Sequence, residues 1–142
     1  MSLATLGCED SKPNIVPLKQ FDSEGKIIIK DYVSLDKDEN FIIQNYKDLE
    51  DIEAKVDSIA LSKWDSTIAK YDNYSIVFFK ESDETNIEAL RDNPRNMYRY
   101  SQERDMIYWF RWSKGKFMGK MKFVDGKEIK GDERKFKNGS IK

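Results

Sequence analysis

Asp105–Val124 reads Asp-Met-Ile-Tyr-Trp-Phe-Arg-Trp-Ser-Lys-Gly-Lys-Phe-Met-Gly-Lys-Met-Lys-Phe-Val. Two apolar runs meet at Lys114-Gly115, a two-residue turn signal of the hairpin kind. Pairing Ser113 with Lys116 sets Trp112 opposite Phe117, Phe110 opposite Gly119, Tyr108 opposite Met121 and Met106 opposite Phe123. Side chains alternate with period two, so these residues share one face, the expected core face. Gly119 would leave bare backbone under the Phe110 ring. Ile107, Trp109 and Arg111 fall on the other face with Met118, Lys120 and Lys122. A slip by one residue would drive Lys120 and Lys122 into the core, which argues for a firm register.

Working outward, Asp125-Gly126 is a second turn signal, and Lys127–Lys130 follows as a short terminal strand. Upstream, Tyr74–Glu81 reads as a strand with Tyr74, Ile76 and Phe78 on one face and Val77 and Phe79 on the other. Apolar residues on both faces suit a central strand or a face covered by a helix. From Asp48 the spacing is helical: Leu49, Ile52, Val56, Ile59, Ala60, Trp64, Ile68 and Tyr71 form one stripe, ended by Asp72-Asn73, with a break near Ser62 as the alternative. Glu50, Asp51, Glu53, Lys55, Asp57 and Lys63 lie mostly off the stripe. Phe41–Tyr46 fits either a strand or an extension of the helix, and the spacing favours the helix. Asp36 is then its N-cap, with Glu39 closing a capping box. Asp36, Asp38 and Asn40 also echo the start of a calcium loop, but Phe41 stands where that loop needs glycine. Lys26–Val33 and Met97–Ser101 are further strands. The expected fold is α+β: an antiparallel meander of four to five strands packed against one long helix. Residues 1–25 are expected to be a signal remnant and extended tether, 26–130 a single domain, and 131–142 a loosely held basic tail.

Composition bounds the function. Of 142 residues, 36% are charged and 39% apolar, and aromatics reach 13%, which favours sheet. Histidine is absent, which removes the usual general base near neutral pH and the commonest metal ligand. One cysteine excludes an internal disulfide and a Cys-rich metal site. The net charge of −1 conceals an asymmetry, since residues 114–142 hold ten Lys/Arg and four Asp/Glu.

The chain begins Met1-Ser2-Leu3-Ala4-Thr5-Leu6-Gly7-Cys8-Glu9-Asp10. Leu6-Gly7-Cys8, a small residue before the cysteine behind a short apolar run, resembles the end of a bacterial lipoprotein signal peptide. Met1-Ser2-Leu3 looks like a vector remnant in place of the basic and apolar regions of that signal. The resemblance implies that Cys8 becomes the mature N-terminus and carries lipid. It also implies an extracytoplasmic address, with the domain anchored to the cell envelope. Glu9-Asp10 is similar to the acidic start of the tethers in some such proteins. The resemblance covers the N-terminus alone.

Three functions follow as expectations. The first is a non-catalytic binding module such as an inhibitor, immunity or accessory protein. Its surface would be Arg99, Trp109, Arg111, Trp112 and Lys120, an aromatic and cationic patch of the kind that makes interface hot spots. Its partner would be an envelope or secreted protein. The second is a single-stranded nucleic-acid or polyanion binder, for which Tyr98-Arg99-Tyr100 and Tyr108-Trp109-Phe110-Arg111-Trp112 interleave rings with cations as stacking platforms do; the near-zero net charge argues against it. The third is a carboxylate-based enzyme, for which Asp31, Tyr32 and Glu81 are the nearest set. No phosphate loop, nucleophile elbow or metal motif is present in the sequence, and no cofactor is expected.

Overall fold

A computed structural model of the chain describes residues 12–18, 23–29, 32–64, 68–88 and 102–137. In chain order they form β1 (Asn14–Pro17), β2 (Ser23–Ile29), β3 (Tyr32–Gln44), helix α1 (Leu49–Lys63), a 3-10 turn at Ile68–Lys70 and β4 (Asn73–Lys80). A helical turn α2 (Gln102–Asp105), β5 (Met106–Ser113), β6 (Lys116–Val124), β7 (Lys127–Lys130) and a second turn α3 (Arg134–Lys137) follow. The class is α+β, as expected.

The sheet differs from a four-to-five-strand meander. Seven strand segments occupy six positions, in the order β1-β3-β4-β5-β6-β7, with β2 also paired to β3. β1 and β2 lie on the same side of β3, against Phe41–Gln44 and Tyr32–Asp38 respectively. β3 and β4 are parallel, and the remaining pairs are antiparallel. A parallel pair needs a crossover, and α1 supplies it.

Several expectations upstream of α1 are corrected. Lys26–Val33 is not one strand but contains the end of β2 and the start of β3, with Ile29 paired to Tyr32. Asp36–Asn40 is the middle of β3 rather than a helix start, and Phe41–Gln44 completes the strand. Phe41 and Ile43 pack on the α1 side while Ile42 packs on the other. A strand buried on both faces shows no alternation, so its run of apolar residues could be threaded onto the helical stripe. The expected tether also contributes to the fold. Asn14–Pro17 pairs with β3, and Leu18 is fully buried.

From Asp48 a helix forms as expected, but it ends at Lys63 and not at Asp72-Asn73. The Asp48 side chain accepts from the Asp51 N–H at 2.8 Å, and Glu50 and Asp51 sit in the first turn, where negative charge suits the helix dipole. The helix stops at Lys63 with Trp64 as its C-cap; Ile68 and Tyr71 lie beyond it yet pack in the same core.

The Lys114-Gly115 turn forms as the residues dictate. Both have positive φ, 49° and 83°, the geometry that matches strand twist. A Cβ on Gly115 would meet Ala69 Cβ at 3.1 Å, so this position needs glycine for space as well as for φ. Trp64 Nε1 donates to the Gly115 carbonyl at 3.0 Å, fastening the end of α1 to the hairpin tip.

The register beyond the turn departs from expectation. Ser113 pairs with Lys116 and Trp112 with Phe117, but Arg111 then pairs with Gly119, Phe110 with Lys120, Trp109 with Met121 and Tyr108 with Lys122. Met118 is the extra residue of a β-bulge, and it points to solvent. Past the bulge, Lys120 takes the core-facing place that strict alternation gave to Gly119. A second irregularity, between Phe78 and Phe79 where β4 meets β5, sends Met106 to the far face and Ile107 to the α1 side. Because Met118 is exposed, Met118→Lys should shift the denaturant midpoint by no more than the equivalent of about 0.5 kcal/mol. A larger loss would mean that the bulge is itself packed.

The α1 side of the sheet holds the main core. Tyr74, Ile76, Phe78, Tyr108, Phe110 and Trp112 meet Ile52, Val56 and Ala60 of the helix. Residues 131–137 are no loose tail, for Phe136 is fully buried and stacks on Phe117 at 4.7 Å.

Candidate functional site

The bulge brings a lysine under the helix. Lys120 is buried, and its Nζ lies 2.6 Å from Glu53 Oε2 and 2.8 Å from Asp57 Oδ1. Glu53 and Asp57 are four residues apart on α1 and so project from one face. The Nζ also sits 5.6 Å from the centroid of Tyr108 and 5.9 Å from that of Phe110, within cation–π range. Lys122, at the rim, reaches Glu53 Oε1 at 3.4 Å. The Lys120 backbone N–H donates to Glu133 Oε2 at 2.8 Å, and Gly131 closes over its carbonyl. A Cβ at Gly131 would lie 3.0 Å from the Lys120 stem, so a larger residue there would have to push that stem aside.

Burial pushes the Glu53 carboxyl up, but the hydrogen bonds and charges of Lys120 and Lys122 together outweigh it and hold the group below its usual range. Burial raises the Tyr108 phenol, with Glu53 and Asp57 adding to the shift, and its hydroxyl donates to the Leu49 carbonyl at 3.2 Å.

This cluster borders an open cleft of about 710 Å³ between the start of α1 and the turn from β6 to β7. Tyr46, Leu49, Ile107 and Phe123 line it, together with four cations, Lys47, Lys80, Arg104 and Lys122, and four carboxylates, Asp48, Glu50, Glu53 and Asp125. Arg104 is held in place from behind. Its guanidinium contacts Asp105 at 3.0 Å and Glu84 at 3.4 Å. Asp105 is buried and also accepts from Ser82 Oγ and Thr85 Oγ1, each at 2.6 Å. Burial raises the Asp105 carboxyl, yet Arg104, Ser82 and Thr85 together hold it low.

Glu53 and Asp105 share a sign. A carboxylate whose folded value is depressed adds stability above its unfolded value, near pH 4, and loses it as pH falls through the folded value. Urea midpoints measured from pH 7 downward should hold until about pH 4 and then drop. Asp105→Asn should lower the midpoint at pH 7 and flatten that drop. An unchanged acid limb would remove Asp105 from the account.

The residues expected to form a binding patch are dispersed. Trp112 is buried in the main core, and Lys120 is the buried cation described above. Trp109 and Arg111 do share the second sheet face, with the Arg111 guanidinium 5.1 Å from the Trp109 ring centroid. Arg111 is exposed and Trp109 is half-buried. Arg99 and Cys8 lie outside the described residues, as do Met97–Ser101 and Asp31. Glu81 is exposed, and accepts from the Gln44 side chain at 3.4 Å. Glu53 and Asp57 were missed by the sequence reading. Asp57 falls between Val56 and Ala60 on the buried arc of α1, and a charge in that place is the signal that could have found it. No family model matches the chain, and neither the curated proteins nor the solved structures give a match.

Proposed function

We propose that the chain is a non-catalytic binding module, anchored to the bacterial cell envelope through lipid on Cys8, that engages a protein partner in the cleft at the start of α1. The observation that carries this reading is the make-up of that cleft. Four cations and four carboxylates share its lining with Tyr46, Leu49, Ile107 and Phe123. Mixed charge of this kind selects a complementary protein surface. A polyanion groove would present one sign, because affinity there comes from phosphate neutralisation. The strand aromatics also favour this reading over base stacking, since Tyr108, Phe110 and Trp112 are fully enclosed under α1. A hydrolytic site of paired carboxylates needs one raised acid, whereas Glu53 is depressed by its lysines.

Two measurements test the two halves. The mass of the N-terminal peptide of the native gene product should show acylated Cys8; an unmodified chain retaining the upstream residues would remove the envelope address. A photo-crosslinker at Lys47 or Val124 should give a discrete adduct in the native host that one at Met118, an exposed site at the bulge, does not. Equal labelling from all three positions, or none, would dismiss the cleft.

A further inference from the structure

The second sheet face carries a separate feature. Across β3, β4 and β5, Asn40, Val77 and Trp109 lie in one row, and Asp38, Ser75 and Arg111 in the next. Between these rows and Phe79 and Met106 is a small cavity of about 90 Å³. Asn40 is 2% exposed, and its Nδ2 has no acceptor among the described residues. The buried Trp109 Nε1, from the other wall of the same cavity, has none either. A buried N–H without a partner is costly, so one such donor calls for a partner and two lining one cavity describe a ligand. The Trp112 Nε1 is also without an acceptor among the described residues. It differs in being packed among the rings of Tyr74 and Phe117 inside the core.

The lining specifies the occupant. Asn40 Nδ2 and Trp109 Nε1 require an acceptor, and indole N–H can only donate. The Asp38 carboxylate and the Ser75 hydroxyl can take a hydrogen bond in return. Val77, Phe79 and Met106 supply an apolar end. A carboxylate would satisfy the two donors but would meet Asp38. A bare hydroxyl would leave the apolar end unused. An acetamido group has a carbonyl oxygen, an N–H and a methyl, one for each part of the wall. We propose that this cavity is a binding site for the acetamido group of an N-acetylated small molecule, the N-acetylhexosamines being the class to test. Arg111, stacked on the Trp109 ring at the rim, is placed to meet the polar remainder of such a ligand.

The test uses the whole chain labelled with 15N and N-acetylglucosamine as the probe. The Trp109 indole cross-peak should move saturably, while those of Trp64, already bonded to Gly115, and Trp112 stay in place. Glucosamine, which lacks the acetyl group, should leave all three unmoved. Asn40→Leu should weaken the titration by about tenfold, the effect of one lost hydrogen bond to a buried donor. Asn40→Asp keeps the shape and removes the amide donor, and should weaken it likewise; the Trp64 and Trp112 cross-peaks show in both variants that the fold persists. A shift that never saturates, an equal response to glucosamine, or full affinity in both folded variants would overturn the proposal and leave trapped water as the cavity's occupant.

Discussion

Lys120→Met should lower the unfolding free energy by about 3–5 kcal/mol, read as a drop in the denaturant midpoint at unchanged slope. The loss comes less from the missing ion pair than from what it leaves behind. Asp57 is buried at 4% exposure, and Lys120 is its cation. Without it, the carboxylate is a charge held away from water. Glu53 keeps Lys122 and suffers less. Adding Asp57→Leu to Lys120→Met should therefore recover most of the stability, since exchanging a buried pair for apolar residues of similar size is often neutral. A single variant costing under 1 kcal/mol would mean that water reaches the cluster. A double variant no better than the single would mean that Asp57 is not the source of the penalty.

Phe110→Ala should cost a similar amount, about 3–5 kcal/mol, through the cavity it leaves. Phe110 is fully buried, with ring centroids 5.4 Å from Phe136, 6.0 Å from Phe78 and 6.3 Å from Trp112. These neighbours come from β4, from β5 itself and from the C-terminal turn α3, so no single element can relax to refill the space. Trp109→Ala, on the second face, should cost less, because that ring is only half-buried. If the order were reversed, the second face would be the principal core.

The contrast between these two residues also marks what the sequence made legible. Local chemistry was readable: Lys114-Gly115 and Asp125-Gly126 have the positive φ values that two-residue hairpins demand, and the helical stripe begins at Leu49, although its cap is Asp48 and not the expected Asp36. Tyr74, Ile76 and Phe78 part from Val77 and Phe79 because β4 is interior to the sheet. What failed depended on distant residues. Period-two logic assumes that no residue is inserted, and Met118 breaks it. Nothing near Lys120 says that it can be buried, because its carboxylates come from α1, 63 and 67 positions earlier in the chain. Ile42 and Tyr46 matched the helical spacing by coincidence, since a doubly buried strand carries no periodic signature of its own. The candidate cleft was invisible because its lining is drawn from the segment before α1, α1, β4, α2, β5, β6 and the β6–β7 turn, and no one segment contains it. Trp109 and Arg111 were correctly placed together on one face, but Asn40, which shares the cavity with Trp109, lies in a segment that the spacing assigned to a helix start.

The buried Lys120 also orders events during folding. A hairpin of β5 and β6 docked onto the sheet without α1 would hold an ammonium against aromatic rings with no counter-charge. The helix without the hairpin would hold Asp57 on its apolar arc with no cation. Each half is therefore poor alone, and each becomes favourable only when the other arrives. Helix and hairpin should behave as one cooperative unit, and amide protons of α1, β5 and β6 should exchange with deuterium at a common opening free energy. In Lys120→Met with Asp57→Leu the charge requirement is gone, and the shared apolar core and the Trp64–Gly115 hydrogen bond alone should keep helix and hairpin opening together.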